Sequence, residues 1–359
     1  TAIHALNAGA RRGNFAHNTG EGGLSPYHLA GGGDIIWQIG TGYFGCRAAD
    51  GNFDPDKFRE NAGKDIVKMI EVKLSQGAKP AHGGVLPAAK VDAEIARIRG
   101  VPMGQDVLSP PAHPAFSTPE GLLEFVQTLR ELSGGKPVGF KLCIGRRSEF
   151  MSICKAMLKT GILPDFITVD GAEGGTGAAP AEFSNRLGVP IDEALIFVHS
   201  CLKGIGHRQD IRVIASGKIV SGFDMLEKLA LGADMCNVAR PMMFALGCIQ
   251  SLRCHNNTCP TGIATQDAIR ARAVNVGTRQ QHVANYHAAT VESLRELIGA
   301  LGLDGPEDLG PQHIHQRLAD QTEVTTDEIY EYLDEGELLS DTIRPGYLKD
   351  WQKARAEIF

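Results

Sequence analysis

The segment 166–178 reads FITVDGAEGGTGA: five strand-forming residues that run straight into a glycine loop. Two further segments repeat the form. VGFKLC (138–143) follows the turn Gly134–Gly135, and RVIAS (212–216) ends at Gly217. Short apolar runs without alternation suit strands covered on both faces, as in a parallel sheet. Ile70–Leu74, Val107–Ser109 and Met235–Ala239 read the same way, while Asn14–His17 and Asp34–Ile39 compete for one earlier position. Helical patterns fill the gaps. Pro119–Ser133 follows the cap-type pair Ser117–Thr118 and sets Phe125, Leu129 and Leu132 on one face. Ser148–Thr160 and Phe223–Leu231 behave alike. This alternation predicts an α/β fold, a TIM-type (β/α)8 parallel barrel. Seven strands can be counted, where closure needs eight. Thr1–Arg12 already has helical spacing (Ile3, Leu6, Ala10), so the first strand is expected to be absent from the chain. A preceding segment or a partner chain would complete the barrel and cover its edges.

Residues 1–301 are read as the barrel and 302–359 as an acidic, Pro/Gly-punctuated helical extension. Val291–Leu301 and Thr326–Glu335 are the helical patterns at this end, and Trp351 lies near the terminus. The extension is expected to wrap the barrel or meet a partner. The hydrophobic content of 43% suffices for a full core, and the net charge of −6 without a basic stretch argues against a nucleic-acid surface. No run of about 18 apolar residues and no signal-peptide pattern occurs, so a cytoplasmic location is expected, with upstream membrane anchoring left open.

The chain has 43 glycines, about 12% against a usual ~7%. In a barrel, the loop after each strand faces the active site. Gly174, Gly175, Thr176 and Gly177 follow one strand, Ser216–Gly217–Lys218 close the next, and Ala239–Arg240 follow the last. The last two loops are where such barrels hold phosphate, with Lys218 and Arg240 adding positive charge. Lys141 lies inside an apolar strand, so it must be neutralised by Asp170 or Glu173 or have a task beside a ligand. Lys79, after Gln76 in QGAKP, suits a substrate carboxylate. Glu21 and His82 suit proton exchange or polar contacts.

The segment GCIQSLRCHNNTCP (247–260) places Cys248, Cys254 and Cys259 five and then four residues apart. Three thiolates and a following proline suit an iron–sulfur cluster, with three irons more natural than four. Zinc held with His255, or three free thiols, are the alternatives. The other five of the eight cysteines read as small buried hydrophobes.

Together these motifs resemble the FMN-binding domain of the glutamate synthase family. The matching stretches are HNTGEGG (17–23), QGAKP (76–80), GGVLPAAKV (83–91), SPPAH (109–113), FKL (140–142), EGGTGAAP (173–180), ALGCIQSLRCHNNTCPTGIATQ (245–266) and VESLRELIGALG (291–302). The resemblance implies FMN, and a 3Fe-4S cluster on Cys248, Cys254 and Cys259 within the loop 247–266. It puts Gln76, Lys141 and the 174–177 loop near the flavin, with Gln38 among the cofactor-binding residues, and Lys79 near the 2-oxoglutarate site. It further implies hydride transfer to 2-iminoglutarate, formed from the keto acid and ammonia. A ferredoxin or a reductase subunit would supply electrons, and a glutaminase subunit is a further partner. The chain departs from the family pattern at His82, at Val85 and at Ser216–Gly217–Lys218, and it lacks a glutaminase domain; Thr1 opens it. Other readings are oxidation of another amine, oxidation of a 2-hydroxy acid with His82 or His199 as base, or an electron-transfer subunit without its own substrate.

Overall fold

The computed structural model describes residues 1–359, the side chain of Ala178 excepted. Its centre is a parallel sheet of seven strands. These are β1 (His17–Asn18), β2 (Ile35–Ile39), β3 (Val67–Lys73), β4 (Val138–Leu142), β5 (Phe166–Asp170), β6 (Arg212–Ser216) and β7 (Met235–Asn237). They pair in chain order, and every pair is parallel. The five residues of β5 are all buried, as a strand with a helix layer on one face and the barrel interior on the other must be. Helices Pro55–Ala62, Pro119–Leu132, Arg147–Thr160, Ile191–Gly204 and Gly222–Ala230 lie between successive strands. Pro119–Leu132 starts where the sequence puts it: Thr118 Oγ1 accepts from Gly121 N at 3.0 Å, and Leu122, Leu123, Phe125, Val126 and Leu129 are buried.

This is the expected TIM-type α/β fold, with β1 and β7 as the sheet's edges. On that side, helix Ala2–Gly13 packs along helix Val276–Ala300. Contact is close at Gly9, where a Cβ would lie 2.5 Å from Val283. At the N-terminal ends of the strands one device recurs. Asp165 accepts from Val138 N (2.8 Å) and Arg130, and Asp234 accepts from Val213 N (2.7 Å) and Arg208. Each carboxylate caps the start of the neighbouring strand.

Two strand assignments differ from expectation. The runs near residues 17 and 35 are not rivals but neighbours, His17 pairing with Ile35. Val107–Leu108 is outside the barrel. It pairs antiparallel with Val85–Leu86 in a ribbon within the segment that follows β3, and its side chains are largely exposed. The run is too short to be buried on both faces. Residues 302–359 are not uniformly helical. They include an antiparallel hairpin, His315–Arg317 with Glu323–Thr325, and the helix expected to reach Glu335 stops at Ile329. Leu333, Leu338, Tyr347, Ala354 and Ala356 join the main core, and Lys155 lies 4.7 Å over the Trp351 ring. Among the described residues, no helix is long and apolar enough to cross a membrane.

Candidate functional site

Side chains alternate along a strand, so Glu71 and Lys73 leave β3 on the face opposite Val72. Glu71 is 1% exposed. Its carboxylate accepts from Asn18 Nδ2 (2.9 Å), Gln38 Nε2 (2.6 Å) and Thr168 Oγ1 (2.6 Å), which offsets its desolvation. Gln38, an expected cofactor ligand, therefore spends an amide N–H on Glu71. Two residues on, Lys73 Nζ donates to Glu21 Oε2 at 2.8 Å and Gln76 Oε1 at 2.9 Å. Burial pushes the Lys73 ammonium below its ordinary pKa, Glu21 opposes the shift, and Lys141 and Lys79 add to it. Burial would raise the Glu21 carboxyl, but Lys73, Lys79 and Arg99 outweigh it and hold the pKa low. Lys79 is buried and donates to the Gly83 carbonyl at 3.0 Å. Two lysines and an arginine thus act on one carboxylate at the C-terminal end of β3.

The end of β3 is pinned from outside. His113, the last residue of SPPAH, is buried, and burial lowers its pKa to about 4. The neutral ring bridges the Lys73 carbonyl (Nε2, 2.9 Å) and the Tyr43 hydroxyl (Nδ1, 3.2 Å). The carbonyl can only accept, so Nε2 carries the proton and Nδ1 accepts from Tyr43.

At the end of β4, Lys141 Nζ lies 3.4 Å from Asp170 Oδ1. Asp170 also accepts from Ser216 Oγ (2.7 Å) and Gly77 N (2.8 Å). The pairing is with Asp170, not Glu173; a Glu173 oxygen instead faces Ile191 N, at the start of helix Ile191–Gly204. The loop 76–79 is latched onto the glycine loop: Ala78 N donates to the Gly174 carbonyl at 2.7 Å, and Gln76 Nε2 to that of Gly175. Gly175 has φ +76, which suits glycine. Around Gly177 an added Cβ would meet nothing within 4 Å, so the loop presents open space there. Register pairs Ser216 with Asn237, so Gly217–Lys218 and Ala239–Arg240 emerge side by side. Arg240 bonds the Thr176 hydroxyl, closing a third loop onto them. Lys218 has φ +48, a left-handed conformation that L side chains rarely adopt. Lys218 and Arg240 are exposed.

Cys248 and Cys259 share a small core with Met242, Leu246, Ile263, Val274 and Val283. The loop between them has Gln250, Leu252 and Asn257 at positive φ. Burial pushes the Cys259 thiol up, but the Thr261 hydroxyl and the N–H groups of Ala264, Thr261 and Ile263 outweigh it and lower its pKa. Among the described residues, no three His, Cys, Asp or Glu side chains converge on a single ion. The zinc site through His255 is therefore not formed. In a cluster each thiolate binds a different iron, so the sulfurs stand farther apart than the ligands of one ion. Three thiols, one with its pKa lowered by neighbouring donors, are the ligand type such a cluster takes.

His82 is exposed and packs edge-on against Phe183, 4.8 Å between centroids. His199 lies beside Arg208, whose Nε donates to it at 3.0 Å, at the opposite end of the barrel. Sequence reasoning missed Lys73, Glu71, Arg99 and His113. Lys73 and Glu71 carried a signal, being charges in an apolar strand like Lys141. Arg99, in a short polar helix, carried none.

The conserved region of glutamate synthase matches residues 1–304. The glutamate synthase large subunit-like protein YerD of Bacillus subtilis (strain 168) is 43% identical over 329 residues, covering 91% of this chain and 62% of that protein. An archaeal glutamate synthase (NADPH) of Methanocaldococcus jannaschii is 36% identical over 294 residues, covering 81% and 54%. The chain thus spans less than two thirds of either relative. A solved structure of a mutant flavocytochrome b2 with pyruvate bound aligns with a TM-score of 0.50 at 14% identity, covering 86% of this chain and 63% of that one. That likeness concerns the fold alone.

Proposed function

This chain belongs to the glutamate synthase family, and on that premise we propose that it is an FMN- and 3Fe-4S-dependent oxidoreductase that forms glutamate or a related amino acid from a 2-oxoglutarate-type keto acid and ammonia. The observation that carries the proposal is the cationic pocket at the end of β3. Lys73, Lys79 and Arg99 act on the single carboxylate of Glu21, an excess of positive charge that a dicarboxylate would balance. Lys79 and Arg99 would bind substrate carboxylates, and Glu21 and Gln76 hold the Lys73 ammonium in place. Burial makes Lys73 a readier proton donor than a solvated lysine.

FMN, when bound, supplies the hydride, and the cluster supplies the electrons that replenish it. Ser216–Lys218 and Ala239–Arg240 would hold the flavin phosphate. Gln76 and the 174–177 loop would line the ring, and the latch between them would exclude water. Lys141, neutralised by Asp170 in the described structure, would face the charge of the reduced ring. His82 is assigned no step. Cys248, Cys254 and Cys259 would ligate the iron. A ferredoxin or a reductase subunit would be the electron donor, and free ammonia or a glutaminase subunit the nitrogen source. Eight free cysteines suit a reducing compartment such as the cytoplasm.

The test is spectroscopic. Purified chain should absorb as a flavoprotein and contain about three irons per chain. After anaerobic reduction, 2-oxoglutarate with ammonium should reoxidise the flavin and yield glutamate. A chain that binds both groups yet stays reduced with every dicarboxylic keto acid would refute the substrate class. A chain that binds neither would refute the whole reading.

A further inference from the structure

Lys90 ends the 3₁₀ turn Ala88–Lys90, in the segment between β3 and β4 that also carries Lys79. It is partly buried, and its ammonium donates to the Cys254 carbonyl at 2.9 Å. The Ala89 carbonyl accepts from Asn257 Nδ2 at 3.2 Å. The cysteine loop is therefore held to this turn at two points, one on each side of His255. The ionisable side chains that bear on Lys90 are Cys254, Arg99 and Cys259, and no carboxylate is among them. A partly desolvated ammonium without an acidic partner is costly unless another anion offsets it. The only acidic side chains that bear on it are the two thiols, which would be thiolates as ligands of iron.

We propose that Lys90 sets the reduction potential of an iron–sulfur cluster held by Cys248, Cys254 and Cys259, its fixed positive charge favouring the reduced form. The inference rests on the cluster reading above. On reduction the cluster takes one electron from its donor and gains one unit of negative charge. The ammonium stabilises that added charge, and no bond or proton moves. Lys90 is thus a positioning residue and not a catalytic one. For a partly screened unit charge a few ångströms away, the reduced-to-oxidised ratio changes on the order of tenfold.

The experiment compares the wild-type chain with Lys90→Met, Lys90→Gln and Lys90→Arg. Iron and sulfide are assayed first, and the cluster is then titrated with dithionite and mediators under electron paramagnetic resonance. At the wild-type midpoint, the reduced-to-oxidised ratio should fall about tenfold in the Met and Gln variants and hold in the Arg variant. Should Lys90→Met lose its iron, Lys90→Gln carries the comparison. An unchanged ratio in an iron-replete neutral variant overturns the proposal, as does loss of iron from both neutral variants, which would assign Lys90 a structural role. A wild-type chain without iron and sulfide fails at an earlier step, because the cluster reading itself then falls.

Discussion

Gly77→Ala tests the latch that joins the loop 76–79 to the glycine loop. The glycine's φ is not in the left-handed region, so alanine carries no backbone penalty there. What it meets is steric: the new Cβ would lie 1.6 Å from the Gly171 carbonyl oxygen, and real Cβ atoms essentially never come within 3.0 Å. The neighbour is backbone, with no flexible side chain to swing away. The two loops must part, and the bonds Gly77 N to Asp170 Oδ2 (2.8 Å) and Ala78 N to Gly174 O (2.7 Å) stretch beyond hydrogen-bonding range. A neutral bond contributes about 1 kcal/mol and a bond to a charged group about 2 kcal/mol. The expected loss is therefore about 3 kcal/mol, read from the urea midpoint. Flavin should also dissociate more readily, because the displaced loop carries Gln76 and Gly174–Gly177. Gly145→Ala is the control, since nothing lies within 4 Å of a Cβ there. If Gly77→Ala unfolds at the wild-type midpoint and retains flavin equally, the latch argument is wrong.

Asp170→Asn removes the partner of Lys141 and weakens the acceptor of Ser216 and Gly77; the expected cost is about 3–5 kcal/mol in chemical denaturation, and a cost below about 1 kcal/mol would show that Lys141 is neutralised otherwise. Stability should depend on pH through His17, His113 and His199, each brought to about 4 chiefly by burial. An unfolded histidine titrates near 6.5, so between about 4 and 6.5 the unfolded state binds more protons. The contribution is therefore complete above about 6.5 and lost as pH falls toward 4, on the order of 3 kcal/mol per ring. Urea midpoints flat from pH 7 to 4.5 would contradict this. Gly299→Ala, in helix Val276–Ala300 with nothing within 4 Å of a new Cβ, should stabilise by about 0.5–1 kcal/mol; an unchanged or lower melting temperature would count against it.

Much of the fold was legible because strand and helix signals are local. FITVD, VGFKLC and RVIAS became β5, β4 and β6 within a residue. Val107–Leu108 misled because two apolar residues do not reveal which sheet they join. His17–Asn18 was obscured because so brief an edge strand is defined by its neighbour, Ile35–Ile36. In the candidate site, Lys141 was conspicuous as a charge in an apolar strand. The same reasoning reached neither Glu71 nor Lys73, although they occupy alternate positions of β3.

Residue order alone determined the alternating architecture, the glycine loops after the strands, the cysteine spacing and the family. Each is a pattern carried by near neighbours along the chain. Only the tertiary structure decided that Glu21 meets Lys73, that Arg99 joins them, that Asp170 rather than Glu173 answers Lys141, and that Lys90 reaches the cysteine loop. Electrostatic attraction depends on separation in space, and the way the loops fold back over the strand ends, not distance along the chain, sets that separation.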